Sequence, residues 1–264
     1  MPWLRKTCRR NLQLGFSIFT TVLLLTGASF LIAGDTKTSS TDVHPVQPYN
    51  LPFGNNPFLP SQATADPAGF IDASSFPTAE YCSRCHEDAH RQWRQSAHAN
   101  SFRAPFYRKN VDMLIAQKGI EYTRHCEGCH NPIALFSGAL TSKSAADRSF
   151  DEDGVTCTVC HSIQKVQNTS GTGSYVMGKP AVMVAADGTP VTRQVSFDEI
   201  LQHPELHSRA VMRDFYRTPE FCSVCHKAFI PKMLNDYKWL RAFSVYDEWQ
   251  QSSWSFSILG IKAL

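Results

Sequence analysis

Hydrophobic and polar positions change pattern three times along the chain. Leu12 to Gly34 (LQLGFSIFTTVLLLTGASFLIAG) is a run of 23 residues without a charged side chain, preceded by Arg5, Lys6, Arg9 and Arg10. At about 1.5 Å per residue it makes roughly 34 Å of helix, enough to cross a hydrocarbon core of about 30 Å. The small-x-small pattern of a signal cleavage site fits poorly at Ala28-Ser29-Phe30 and Ile32-Ala33-Gly34, so residues 1–34 read as a basic cytoplasmic end and an uncleaved signal anchor, a cleaved signal being the alternative. Either reading exports the remainder across a bacterial cytoplasmic membrane into the periplasm. In residues 35–77, Pro45, Pro48, Pro52, Pro57, Pro60, Pro67 and Pro77 exclude regular helix and central strand. Tyr49, Leu51, Phe53, Phe58, Phe70 and Phe76 are too apolar for a solvated linker, which predicts a tether draped over a following domain of residues 78–264. There the apolar spacing predicts helices at Thr78–His98, Ser101–Lys118, Ile120–His130, Ser144–Phe150, Glu205–Arg217 and Pro219–Leu240. Short apolar runs punctuated by Gly171, Gly173, Gly178 and Asp187-Gly188 predict a small β-hairpin insertion at 163–195.

Charge removes one class of function. The formal net charge is +3, but beyond residue 34 there are 22 basic against 23 acidic residues. A nucleic-acid-binding protein would carry a basic stripe over its folded part, and none is present.

The cysteines carry the chemistry. Eight of nine stand in four Cys-x-x-Cys-His motifs: Cys82-Ser83-Arg84-Cys85-His86, Cys126-Glu127-Gly128-Cys129-His130, Cys157-Thr158-Val159-Cys160-His161 and Cys222-Ser223-Val224-Cys225-His226. A random chain of this composition would hold on the order of 0.01 such motifs. Two thiols at this spacing meet the two vinyl groups of a haem as thioethers, and the adjacent imidazole becomes the proximal iron ligand. Zinc sites built from Cys-x-x-Cys pairs do not require a histidine after each pair, and a redox dithiol calls for a surrounding βαβ pattern that is missing. The motifs therefore predict four haem c groups, on a mainly α fold with little regular secondary structure beyond the helices around the motifs.

Each iron has a second axial position, and His44, His90, His98, His125, His203 and His207 remain to fill them. His98 ends the element Trp93-Arg94-Gln95-Ser96-Ala97-His98, and His125 directly precedes Cys126. His203 and His207 are four apart around Pro204, and His207 is favoured. His90 is one turn from His86 on the same helical face, so it cannot cap the same iron. The distal candidates are thus His98, His207, His125 and His203. Met177, Met183 and Met212 could supply thioethers, although isolated methionines serve more often in packing.

Trp93-x-x-Ser96-x-His98-Ala99, CEGCHNP at Cys126 to Pro132 and GVTCTVCHS at Gly154 to Ser162 resemble the cytochrome c-554 type of multihaem cytochrome. FCSVCHKAFIPKMLNDYKWLRAFSVYDEW, from Phe221 to Trp249, is similar to larger membrane-anchored members of that group. The resemblance implies periplasmic electron transfer through packed haems, with His98 as a distal ligand and other redox proteins or membrane quinol-oxidising complexes as partners. Trp249-Gln250-Gln251-Ser252-Ser253-Trp254 repeats the Trp-x-x-Ser spacing but has Trp254 where the first copy has His98. A truncated piece of a larger multihaem protein is one alternative to a membrane-anchored electron carrier. The other is a multihaem oxidoreductase of the nitrite, hydroxylamine or tetrathionate type, with one open haem. The carrier reading is preferred because four attachment motifs within 145 residues crowd the haems, at least three histidines are plausible distal ligands, and an anchor with a flexible tether precedes them.

Overall fold

The computed structural model describes residues 55–145, 148–235 and 240–255. The apolar run 12–34, residues 35–54 of the tether and His44 lie outside the described residues. Among the described residues no helix is long and apolar enough to cross a membrane.

The fold is mainly α with small sheets. Helices α1 to α11 span Ala79–Ser83, Glu87–Arg94, Pro105–Lys118, Arg124–His130, Pro132–Phe136, Cys157–Ser162, Phe197–Gln202, Pro204–Val211, Pro219–Ser223, Lys232–Asn235 and Val245–Gln251. Strands β1 to β5 span Thr64–Asp66, Ile163–Val166, Tyr175–Gly178, Ala228–Ile230 and Leu240–Phe243.

Most helices are shorter than their apolar pattern suggests, and the breaks fall at identifiable residues. The segment expected to be one helix over Thr78–His98 divides into α1 and α2 at the first motif, where His86 leaves helical geometry with ψ of 48°. Helix α3 begins at Pro105, because proline suits the first helical position. Ile120–Thr123 is a 3₁₀ turn leading into α4, and Ser149–Asp153 is a 3₁₀ turn where a helix over Ser144–Phe150 was expected. Helix α8 ends at Val211, and Asp214–Arg217 forms a separate 3₁₀ turn. The expected long helix from Pro219 is instead α9, the antiparallel β4–β5 pair and α10.

The insertion forms its hairpin: β2 pairs antiparallel with β3. Strand β1, from the proline-rich stretch, adds parallel to the other edge of β3. That stretch also supplies core side chains. Phe58, Ala63, Ile71 and Phe76 are buried with Ile133, Leu135, Phe136, Val159, Tyr175 and Val224, and Phe70 packs against them. Residues 55–77 therefore belong to the same core as the helices that carry the motifs. A second small cluster, Val182, Met183 and Val195 with Tyr81, Ile200 and Leu206, joins the chain after the hairpin to α1, α7 and α8.

Candidate haem sites

All four motifs occupy helical turns. In the first and fourth, the histidine N–H donates to the carbonyl of the first cysteine, His86 to Cys82 at 3.0 Å and His226 to Cys222 at 2.9 Å. The second and third motifs lie in α4 and α6. A helical turn brings residues three and four apart onto one face, so both thiols and the imidazole of each motif address the same side.

Electrostatics between the thiols shows which motifs are neighbours. A hydrogen bond with Cys157 pushes the Cys82 thiol up, and a hydrogen bond with Cys129 does the same to Cys225. Burial, with Cys157 and Cys222 close by, pushes Cys160 up to about 11. Thioether formation would remove these titrations, but the adjacency remains. Numbered along the chain, the motifs stand in the spatial order first, third, fourth, second. Among the described residues no group of three or more His, Cys, Asp or Glu side chains is gathered as a metal-binding cluster.

Two of the expected distal histidines face motif histidines. The His86 and His207 ring centroids are 6.2 Å apart, with planes 26° apart. The His98 and His226 rings are 6.0 Å apart at 81°. An iron bonded to two imidazoles needs about 2 Å for each bond and about 1.1 Å from each nitrogen to its ring centre, or roughly 6 Å in all. Both pairs fit that span. The Nδ1 of His207 lies 2.6 Å from the Val182 carbonyl; with its proton donated there, Nε2 is left as the nitrogen with a free lone pair. Helix α7 is brought to the first motif by Arg84 of the motif and by Tyr81 just before it, and Tyr81 also packs in the cluster with Leu206 of α8. The Arg84 guanidinium lies over the Phe197 ring at 5.0 Å, Tyr81 stacks on Phe197 at 4.9 Å, and the Tyr81 hydroxyl donates to the Val195 carbonyl at 2.9 Å.

His98 is held by the lead-in to the third motif. Val155 N–H donates to the His98 carbonyl at 3.0 Å, and the Trp93 indole N–H donates to the Val155 carbonyl at 2.9 Å. Gly154, with φ of +54°, makes this approach possible, because a Cβ there would stand 2.7 Å from the His98 carbonyl oxygen. Burial and the neighbouring His226 both lower the His98 pKa, favouring the neutral, ligating form.

The second and third motif histidines are oriented in the same way. His130 Nδ1 is 2.9 Å from the Ser101 carbonyl, and His161 Nδ1 is 2.6 Å from that of Val211, leaving each Nε2 as the coordinating nitrogen. His90 Nε2 and His125 Nδ1 are buried without a hydrogen-bond partner. Buried polar atoms rarely stay unpaired, so these two nitrogens are the buried candidates for a metal. Burial holds His125 down to about 4. His203, by contrast, precedes α8 at the surface, with its ring 3.6 Å from the Glu205 carboxylate and no motif histidine beside it. Met177 and Met183 are buried in the two cores and Met212 is exposed.

Two tyrosines complete the sites. Tyr107 stacks on His130 at 3.9 Å and 8°. Tyr175, from β3, is buried where its hydroxyl donates to the Gly128 carbonyl at 2.6 Å, beside Cys129, Cys160 and Cys225. Neither has a local signal: Tyr107 sits on a polar helix and Tyr175 on a short strand, and both reach their motifs only through the fold.

No curated protein matches the chain. A solved structure, that of a penta-heme cytochrome c552 from Thermochromatium tepidum, is similar with a TM-score of 0.42 and 18% sequence identity over 68% of this chain and 52% of that one. The chain thus spans about half the length of that protein. The family model for cytochrome c554 and c-prime matches residues 81–162. Three of the four motifs lie in that stretch, and over it the chain carries the signature of a multihaem c-type cytochrome.

Proposed function

We propose that this protein is a tetrahaem c-type cytochrome that passes electrons between redox proteins on the periplasmic side of a bacterial cytoplasmic membrane, anchored through residues 12–34. The observation that carries the reading is the set of four complete motifs with two histidine pairs, His86 with His207 and His98 with His226, spaced for an iron. Cys82 and Cys85, Cys126 and Cys129, Cys157 and Cys160, and Cys222 and Cys225 would hold the haems, with His86, His130, His161 and His226 as proximal ligands. His207 and His98 serve the first and fourth irons, and His125 and His90 are the buried candidates for the others.

When bound, each haem supplies a one-electron iron couple whose potential is set by its axial ligands, hydrogen bonds and burial. The protein's own part is positional. Backbone carbonyls of Ser101, Val211 and Val182 fix the imidazole tautomers, the adjoining thiols keep the attachment points close, and the order first, third, fourth, second defines the path. Donors would be membrane quinol-oxidising complexes and acceptors other periplasmic redox proteins.

An open iron would turn the carrier into an enzyme. Carbon monoxide titration of the ferrous protein, run with nitrite, hydroxylamine and tetrathionate turnover assays, separates the two. The carrier reading expects little carbon monoxide binding and no turnover. Rapid turnover accompanied by one carbon-monoxide-binding haem would replace it with the oxidoreductase reading.

A further inference from the structure

We propose that Lys179, Arg213 and Gln164 form a carboxylate-binding site beside His161 that holds the propionates of the third-motif haem and raises its potential. The inference rests on reading Cys157 to His161 as a haem attachment site. A narrow cleft of about 20 Å³ is lined by His161, Gln164, Lys179 and Arg213 among others. Neither cation forms an ion pair among the described residues. Asp66 lines an adjoining cavity that shares Gln164 and Lys179, and Asp214 follows Arg213 in the chain.

Both flanks are built rather than loose. Arg213 Nη1 donates to the carbonyls of Arg209 and Met212, each at 2.9 Å, which pins one side of the guanidinium and leaves its other donors available. Two residues earlier, the Val211 carbonyl accepts from His161, so one short stretch orients the imidazole and carries the cation. Tyr216 stands edge-on to His161 at 5.6 Å, and the Arg213 charge reaches it, opposing the rise that burial imposes on the phenol. On the opposite flank Lys179 follows Gly178. A Cβ at Gly178 would fall 2.0 Å from Gln164 Nε2, so the absent side chain lets the amide lie flat against the strand next to Lys179.

Two cations and an amide around one opening match paired carboxylates, because charge-assisted hydrogen bonds to ionised oxygens are the strong ones. Propionates belong to the same prosthetic group as the iron, so cations that neutralise them make adding an electron easier. Free oxyanions share this chemistry, and the test separates the two sources.

The experiment is a haem-resolved redox titration of the full-length holoprotein, with peptide mass spectrometry for haem content. Lys179→Gln and Arg213→Gln should each move one transition to lower potential, and the double variant should move it further. Lys179→Arg and Arg213→Lys should restore it. Added sodium sulfate should leave the wild-type transitions in place. A wild-type transition that moves with sulfate, while the double variant does not respond, would assign the site to a free oxyanion and overturn the propionate assignment. Unmoved transitions in the glutamine variants, or conservative variants that shift or lose haem as much as the glutamine ones, would overturn the site altogether. Failure of the underlying reading is distinguishable: the wild-type Cys157–His161 peptide would then carry no haem mass.

Discussion

His207 and His98 are the side chains on which the proposed iron coordination turns. Each faces a motif histidine at the spacing two axial imidazoles require. His207→Ala should convert one haem to a high-spin, carbon-monoxide-binding form, and His98→Ala a different one. The double variant should show both, and His203→Ala neither, since His203 sits at the surface beside Glu205. Ferrous difference spectra and paramagnetic resonance read this directly; unchanged carbon monoxide binding in His207→Ala and His98→Ala would refute both pairings. A second prediction concerns Glu127, whose carboxyl burial pushes up to about 8 from its ordinary 4.5. The folded protein keeps a proton that the unfolded chain releases, so this group's stability is complete below about pH 4.5 and is lost as pH rises toward 8. Glu127→Gln should flatten that slope in denaturant titrations at pH 5, 7 and 9; a slope equal to the wild type's would show that the carboxyl is ionised in the fold.

Among the elements, the hairpin β2–β3 does more than fill space. Its turn docks on the fourth motif: Gly173 N–H donates to the Val224 carbonyl at 2.8 Å, Thr172 N–H to the Lys227 carbonyl at 2.9 Å, and the Thr172 hydroxyl accepts from Phe229 N–H at 3.1 Å. Gly171 permits this contact, because a Cβ there would lie 1.9 Å from the Lys227 carbonyl oxygen. Gly171→Ala should cost about 3 kcal/mol or more through forced backbone movement and left-handed strain. Gly69→Ala, also left-handed but with open space around the Cβ, should cost only about 1 to 2 kcal/mol. Equal denaturation midpoints for the two variants would contradict the docking. The hairpin was legible in the spacing of Gly171, Gly173 and Gly178, and the four motifs in their local chemistry. The helix lengths were not. Motif turns, Pro105 and the β4–β5 pair interrupt patterns that look continuous, since apolar spacing records burial and not where a helix breaks. Strand β1 was hidden by prolines that suit an edge strand as well as a tether.

For the whole molecule, the motif order in space departs from the order in sequence, and nothing local encodes it. Long-range packing of Tyr175 between Cys129, Cys160 and Cys225 brings the second, third and fourth motifs together, which is why pair spacing revealed the cofactor and not the path. The sequence singled out His98 through its Trp-x-x-Ser-x-His element and His207 through its four-residue offset from His203, and the fold sets each near a motif histidine. Tyr107 was not, because its stacking on His130 joins residues from separate helices. The apolar run 12–34 predicts that alkaline carbonate leaves the protein in the membrane pellet. A soluble form whose first residue falls between about 30 and 40 would show cleavage instead. The central claim is that all four motifs carry covalent haem, and intact-mass spectrometry after acid-acetone extraction tests it most directly. A retained shift of about four haem masses is the predicted result; two or fewer, or stoichiometric zinc in their place, would contradict it.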